Sequence, residues 1–320
     1  MPNDTFYGAD CEMRVGLMPD ANTDPTTWYN MEFVSVTISP QRERRDRPKL
    51  GTPRNNPFDP TKPIPGLFRL SASLVVDADT RQLGRWLRLG VGVPASSLTT
   101  PGIYTYAFVT AARSLPLFAM QIRTGTGEVR VYRGMTFGTI GTTAAGENVQ
   151  DFNLTIGLRG MTRDRQPDFL AGTTNPVPAS APASRAAFRI DFVAASNMLS
   201  ASWNWDRGLV EDVFLKETPT ISGLRPGMAS HTGQATVRAV ASVYDDLEED
   251  DTVFAPEIAM FGTVPGHAIY FFHPQAMLSA PPISIDGPGL VERTLSWVAH
   301  QTGASPAGVI TVVNDTASYA

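Results

Sequence analysis

The sequence is poor in residues that several functional classes require. Its 320 residues include one cysteine, Cys11, which excludes an intrachain disulfide and a cysteine-based zinc site. Charged residues make up only 18%, and a formal net charge of −5 argues against a main surface that grips nucleic acid. No run approaches the roughly 20 apolar residues that cross a bilayer, and no signal-peptide pattern opens the chain. We therefore expect a protein made in reducing cytoplasm, without a membrane span.

Catalytic and ligand-binding motifs are also missing. The four histidines, His231, His267, His273 and His300, have none of the spacings typical of metal sites. The glycine-rich pieces link strands and lack the patterns that cradle phosphate, and no nucleophile elbow occurs. The sequence predicts no catalytic residue, no cofactor and no metal. Its 42% of apolar residues instead indicates a folded chain with large cores.

Strand patterns dominate the sequence. Alternating apolar and polar residues over 31–39 and 67–77 predict two strands, and residues 103–165 add several more between glycine-rich turns. In DTRQLGRWLRLG, residues 79–90, the spacing of Leu83, Trp86 and Leu87 predicts a short amphipathic helix. Asp79 or Thr80 would cap it and Gly90 would end it. Gly84 costs this helix about 1 kcal/mol relative to alanine.

The order of these elements occurs twice along the chain, although the two halves share little identity. We predict an N-terminal arm over 1–30 and a first β-module over 31–165, which includes a long basic, proline-rich hairpin loop at 40–66. A Pro/Ala/Ser-rich linker over 166–189 precedes a second β-module over 190–320. The predicted fold class is mainly β, with two tandem antiparallel modules and a short flanking helix.

Two charged segments are candidate contacts between copies of the chain. The hairpin loop carries a cluster of cations, and the run DDLEEDD at 245–251 carries six carboxylates. Opposed patches of this kind steer association and fix its register, and contact between different faces of a subunit builds rings or stacks. A solvated loop is the alternative for the acidic run. The candidate residues are Arg42, Arg44, Arg45, Arg47, Lys49, Arg54, Asp245, Asp246, Glu248, Glu249, Asp250 and Asp251.

The succession PIPGLFRLSASLVVDADTRQLGRWLRLGVG, LPLFAMQI, VRVYRGMTFGTI, NMLSASWNWDRGL and GQATVRAV resembles tail tube proteins of long-tailed bacteriophages over about residues 31–315. The resemblance implies antiparallel β-sandwich or barrel modules that form rings, with a hairpin loop reaching into the adjacent ring. The rings stack into a tube in the virion tail that conducts DNA without binding it specifically. An acidic chain would give a channel that repels DNA.

The same resemblance implies partners and a location. The partners are other copies of the chain together with tape measure, tail terminator and distal tail proteins, assembled in the host cytoplasm. Two fused modules per chain imply homotrimeric rings with pseudo-sixfold symmetry. However, the acidic DDLEEDDTVFAPE stands where the first half has its helix. One chain-long module in a homohexamer is therefore the alternative.

A second function class is a β-rich adhesin or carbohydrate-binding module. Trp28, Trp203 or Trp205 would supply its stacking platform if those side chains were exposed. An enzyme on a β-sandwich is the third class, and the sequence offers it no nucleophile with a base.

Overall fold

The computed structural model describes residues 11–45, 64–110, 115–125, 127–145, 152–195, 198–214, 220–238, 251–279 and 292–319. These residues form 22 strands and one helix. The first half of the chain contains β1 (Cys11–Met18), β2 (Thr27–Asn30), β3 (Ser35–Arg45), β4 (Ile64–Asp77), α1 (Leu83–Gly90), β5 (Ala95–Thr100), β6 (Ile103–Val109), β7 (Leu117–Thr124), β8 (Val129–Ala145), β9 (Asn153–Gly160) and β10 (Thr162–Gln166).

The remaining strands follow from residue 173 onward. They are β11 (Thr173–Asn175), β12 (Ala183–Ile190), β13 (Val193–Ala194), β14 (Met198–Asp206), β15 (Val210–Asp212), β16 (Gly223–Arg225), β17 (Ser230–Arg238), β18 (Pro256–Gly262), β19 (Ala268–Phe272), β20 (Ala276–Ser279), β21 (Glu292–Ala299) and β22 (Val309–Asn314).

Eight strands from both halves form one continuous antiparallel sheet, which we call the inner sheet. Their order is β3, β4, β9, β8, β14, β17, β21 and β20. Strict alternation explains these strands: in β4, Leu70, Leu74 and Val76 are buried while Ser73 between them is exposed. A slip of one residue would turn each apolar set to solvent, so the buried face fixes the register.

Strand β8 belongs to two layers. Residues 139–145 lie in the inner sheet between β9 and β14, whereas residues 129–133 pair with β7 and β10. Gly134 joins the two parts with φ +64, and a Cβ there would lie 2.6 Å from the sulfur of Met161. Only glycine meets both demands. Beyond β7 the layer continues through β1, β2 and β11.

A second sheet of seven strands covers the second half, in the order β13, β12, β18, β19, β22, β6 and β5. Five of these strands belong to the second half. The other two, β6 and β5, come from the first half and add to the edge of β22. The short β15–β16 hairpin stands apart from both large sheets.

The strand order of the two halves is the same. In the inner sheet, β3, β4, β9 and β8 are followed by β14, β17, β21 and β20, which occur in the same sequence order within their half. In the outer layers, the path β10, β8, β7, β1 corresponds to β22, β19, β18, β12. The β3–β4 and β14–β17 connections therefore occupy equivalent places.

Helix α1 confirms the predicted helix, with Trp86 and Leu87 buried in the core. Glycine is required at two of its positions because other elements press against it: a Cβ on Gly84 would lie 2.1 Å from the Tyr319 ring, and one on Gly90 would lie 2.1 Å from the Phe137 ring. In the described part of the chain, no helix is long and apolar enough to cross a membrane.

A buried polar cluster joins the two halves at the start of α1. Asp79 accepts hydrogen bonds from the backbone N–H of Arg81 (2.8 Å) and of Gln82 (2.9 Å), and from the hydroxyl of Ser180 (2.8 Å). Arg81 forms an ion pair with Asp315 near the C-terminus. The Asp315 carboxylate has a lowered pKa, chiefly because of this hydrogen bond. One carboxylate thus ties the helix start to the segment that connects the halves.

Three segments differ from the sequence-based expectations. Residues 11–18 and 27–30, predicted as part of an arm, form β1 and β2, and β1 pairs along its whole length with β7. The predicted linker contains β11 and most of β12. Strands β3 and β4 extend into the predicted loop as far as Arg45 and back from Ile64. In each case pairing with distant strands overrides a turn-like composition.

Candidate assembly surface

One face of the inner sheet packs on the core, and the opposite face carries mainly small polar side chains. Across all eight strands, one row of paired residues bears no charge. That row consists of Ser35, Val75, Thr155, Gly141, Asn204, Thr232, Val298 and Met277. A second uncharged row is Thr143, Ser202, Gln234, Ser296 and Ser279. We call this surface the polar face.

Charged residues of the polar face lie toward its margins. Asp77, Asp206 and Arg238 end their strands, Glu292 begins one, and Arg159 is the penultimate residue of β9. Arg69 lies toward the hairpin end of β4. The middle of the polar face thus offers hydroxyl and amide groups that bind water, with no fixed charge that would attract or repel phosphate.

The inner sheet has two open edges among the described residues. Strand β3 pairs only with β4, and β20 pairs with β21 and, at Ala276 alone, with Phe254. An exposed edge of this kind presents unpaired N–H and C=O groups and is a template for another strand. Because neighbouring strands alternate in direction across all eight positions, a β3 strand from a second copy would lie antiparallel to β20.

The middle of the inner sheet already contains an edge-to-edge pairing of this kind, which we call a join. Residues 139–145 of β8 pair with residues 200–206 of β14, which brings the last strand of one half beside the first strand of the other. Since β8 corresponds to β20 and β14 to β3, the join between halves has the same strand types as the two open edges. The chain therefore contains one complete join and half of another at each end.

The base of the β3–β4 hairpin is held by a charged network. Arg69 forms ion pairs with Glu43 of β3 and, at 2.7 Å, with Glu211 of β15. Hydrogen bonds to Glu211 first and to Glu43 second raise the pKa of Arg69. Phe68 also forms a bridge with Thr220. The connection between β14 and β17 thus supports the hairpin of the other half.

The predicted contact residues fall into two groups. Arg42 and Arg44 lie exposed on β3, Arg45 ends that strand, and Asp251 is exposed with φ +49. Arg47, Lys49, Arg54, Asp245, Asp246, Glu248, Glu249 and Asp250 lie outside the described residues. Among the described candidates, neither Arg42 nor Arg44 forms an ion pair with Asp251, and the role of the whole set stays a prediction.

The polar face was not predicted from the sequence, although a signal for it exists. In LSASLVVD, NLTIGLRG, LSASWNWD and HTGQATVR, serine, threonine, asparagine or glutamine alternates with a buried residue. Each pattern by itself predicts only a strand. Recognising that the hydroxyl sets lie on one common face requires the pairing order, which individual strand patterns do not contain.

The adhesin hypothesis is weakened by the positions of its tryptophans. Trp28, Trp203 and Trp205 are at most 1% exposed, so they do not form the exposed stacking platform that this hypothesis requires. Each indole instead fills core space, as large apolar rings usually do. Within the described ranges, no group of three or more His, Cys, Asp or Glu residues is placed to hold a metal ion.

Comparison with known proteins gives one family. The family model described as phage tail tube protein matches residues 8–299, which includes nearly all of the strands described above. No individually curated protein matches the chain. Since the match extends over most of the sequence, the chain belongs to the phage tail tube protein family.

Proposed function

We propose that copies of this structural tail protein join edge to edge into closed rings, with β20 of one copy pairing with β3 of the next. The observation that carries the proposal is the β8–β14 join, which already links equivalent strands inside the chain. Closure removes both open edges of the inner sheet, which would otherwise promote aggregation. The chain would then be two fused tube modules.

The number of strands favours three chains per ring. Three chains supply 24 strands, and at ~4.8 Å per strand these close into a backbone circle roughly 37 Å across. Allowing about 5 Å of side chain on each side leaves a channel of roughly 27 Å. That width admits a DNA duplex and a layer of water. Six chains would give a circle roughly twice as wide, so we favour the trimer over the hexamer.

The polar face is the wall that we propose for the channel. Its middle rows carry hydroxyl and amide groups without charge, whereas the net charge of the chain alone suggested an acidic wall. Phosphates that meet no clustered cations release no counterions and gain no binding energy. DNA would therefore pass during ejection without being held, and the channel needs no cofactor or catalytic group.

We propose that the β3–β4 hairpin connects each ring to the next one in the stack. The cations Arg42, Arg44, Arg45, Arg47, Lys49 and Arg54 would project from its base and loop toward carboxylates of another copy. The resulting tube would meet tape measure, tail terminator and distal tail proteins in the virion, after assembly in the host cytoplasm.

Sedimentation and electron microscopy of the purified protein test ring formation. We expect concentration-dependent rings or tubes with a central channel, and hydrogen exchange should slow at β3 and β20 on assembly because their free N–H groups become paired. The amides of β15, in the hairpin that stands apart from both large sheets, serve as an internal reference. A protein that remains monomeric at high concentration would contradict the proposal.

Charge reversal tests the hairpin. Arg42, Arg44, Arg45 and Arg47 replaced by glutamate should block stacking or make it strongly salt-dependent, while the subunit keeps its melting temperature. Unchanged tubes would exclude these cations from stacking. Loss of DNA binding with intact tubes would instead support a nucleic-acid role for the hairpin.

A further inference from the structure

The outer layers of the two halves have corresponding edges, at β22 and at β10. A strand of the other half pairs with the first of these edges but not with the second. In the second half, the outer edge of β22 is paired along its length with β6 of the first half, from Val309 opposite Val109 to Asn314 opposite Tyr104. In the first half, the corresponding strand β10 pairs only with β8 among the described strands. One edge is therefore covered by a neighbouring half, and its counterpart is open.

The covering segment follows β4 of the inner sheet and ends where β7 of the outer layer begins. It spans residues 78–116 and contains α1, β5 and β6. The corresponding segment of the second half lies between β17 and β18, at residues 239–255, and contains the acidic run DDLEEDD at 245–251. Residues 239–250 lie outside the described residues. This segment has 17 residues, whereas the covering segment of the first half has 39.

The open edge of β10 carries positive charges that complement an acidic segment. Arg163 and Arg165 of β10 are exposed, and Arg163 shares a groove with Arg42 at the hairpin base. Arg165 meets Glu128 at 3.8 Å, a loose contact between two exposed side chains. Among the described residues, no carboxylate lies within ion-pair distance of Arg163 or Arg42. The carboxylates of this groove, Asp24 and Asp164, are both bound to Arg133.

The acidic run of the same chain is badly placed to reach this edge. Strand β10 pairs with the edge of β8 that faces away from the second half, because β7 and β14 occupy the opposite edge. Strand β17, from which the run leaves, lies on the far side of β14. The second half of an adjacent copy in a ring would stand beside β10, just as the first half stands beside β22.

We propose that the β10 edge of one copy binds the acidic run Asp245–Asp251 of the adjacent copy, an inference that rests on the proposed ring. The twelve residues between Arg238 and Asp251 can extend and return over about 20 Å. Carboxylates then meet Arg163 and Arg165, with Arg42 at the end of the same basic surface. At β10 this charged contact would take the place that strand β6 has at β22. Unlike the β6–β22 pairing, it forms only between copies.

A charge-swap experiment tests this contact in the full-length protein. The basic-edge variant replaces Arg163 and Arg165 with glutamate, and the acidic-run variant replaces Asp245, Asp246, Glu248 and Glu249 with lysine. Each variant alone should raise the critical concentration for ring formation about tenfold at low salt. Combining the two should return the critical concentration most of the way to that of the unmodified protein. High salt should shrink every difference.

A matched control separates this contact from general charge effects. Arg225→Glu changes a cation whose side chain is 65% exposed, as is that of Arg165, and which also faces a carboxylate, Asp212. This variant should assemble less than threefold differently from the unmodified protein. Unchanged melting temperatures will show that the variants fold.

Different outcomes separate the two proposals. Rings that form at the unmodified concentration in both single-sided variants, or a combined variant worse than either, would overturn the β10 contact alone. An unmodified chain that never forms rings would overturn the ring proposal and this contact with it.

Discussion

The two halves of the molecule share a strand order but contribute side chains of different chemistry to one continuous core. The first half buries aliphatic, methionine and phenylalanine side chains around α1, among them Leu74, Met135 and Phe137. The second half stacks Trp203 on His273 and Trp205 on His231, and the Trp297 indole N–H donates to His273 Nδ1 at 3.0 Å. One architecture thus accommodates a half without histidine as well as a half with buried imidazoles, whose pKa values are lowered.

Acid should have the largest effect, and it should act first on the second half. Burial lowers the pKa of His231 to about 4, and burial together with the nearby His231 lowers the pKa of His273 to about 3. Their unfolded value is 6.5, so below that pH the unfolded chain binds protons that the folded chain refuses. Stability should therefore fall as pH drops from about 6.5 toward 4, by about 3 kcal/mol for each histidine.

Denaturant unfolding at pH 7, 5.5 and 4 measures the loss of stability. Hydrogen exchange at the same pH values shows which half loses protection first. Strands β17 and β19 should lose protection before β4 and β9. His231→Phe should flatten the pH dependence, and His300→Gln, at a half-buried position, should leave it unchanged. Earlier loss of protection in the first half would show that the histidines do not control the order of unfolding.

Removal of Asp79 should uncouple the halves. Asp79→Ala leaves the backbone N–H groups of Arg81 and Gln82, just before α1, without their acceptor, so we expect a loss of about 3 kcal/mol. Asp20 is a matched control because it also accepts two backbone N–H bonds but is exposed. Asp20→Ala should cost far less. Separate calorimetric transitions for Asp79→Ala would indicate uncoupling, and a single unshifted transition would contradict it.

Gly84→Ala should destabilise the protein by about 1–3 kcal/mol even though alanine is the better helix former. The reason is the Tyr319 ring, which lies 2.1 Å from the position of a Cβ at residue 84. Pairing the change with Tyr319→Ala should recover part of the loss. A stabilised Gly84→Ala variant, measured by urea unfolding, would mean that helix propensity outweighs this contact.

The smallest effect on stability is expected on the polar face. Thr232→Lys should change the free energy of unfolding by less than about 0.5 kcal/mol, because the residue is exposed. Assembled tubes of this variant should nevertheless retain duplex DNA in a salt-dependent way. Thr263→Lys, outside the polar face, is the control. Equal DNA retention by both variants would argue against a channel role for the face.

Local patterns predicted much of the fold. Strands β4 and β9 and helix α1 follow from spacing within a few residues, and the twofold order of elements is visible without a structure. The crossing of β6 to β22 is not predictable in this way, because it depends on a partner some 200 residues away. Strand β1 was missed because Asn, Asp and Pro on either side of it resemble a loop.

The site shows the same division. Arg42 and Arg44 were identified from composition, and their exposure on β3 agrees with a contact role that is still a prediction. The open edges and the polar face emerge only from strand pairing. At Gly84 the sequence reveals helix propensity but not the distant Tyr319 ring, which opposes a larger side chain there.

Cryo-electron microscopy of assembled tubes would show directly how the rings close. We expect three chains per ring, with β20 of each chain antiparallel to β3 of the next and the polar face lining the channel. Six chains per ring, or β3 and β20 facing solvent, would contradict it.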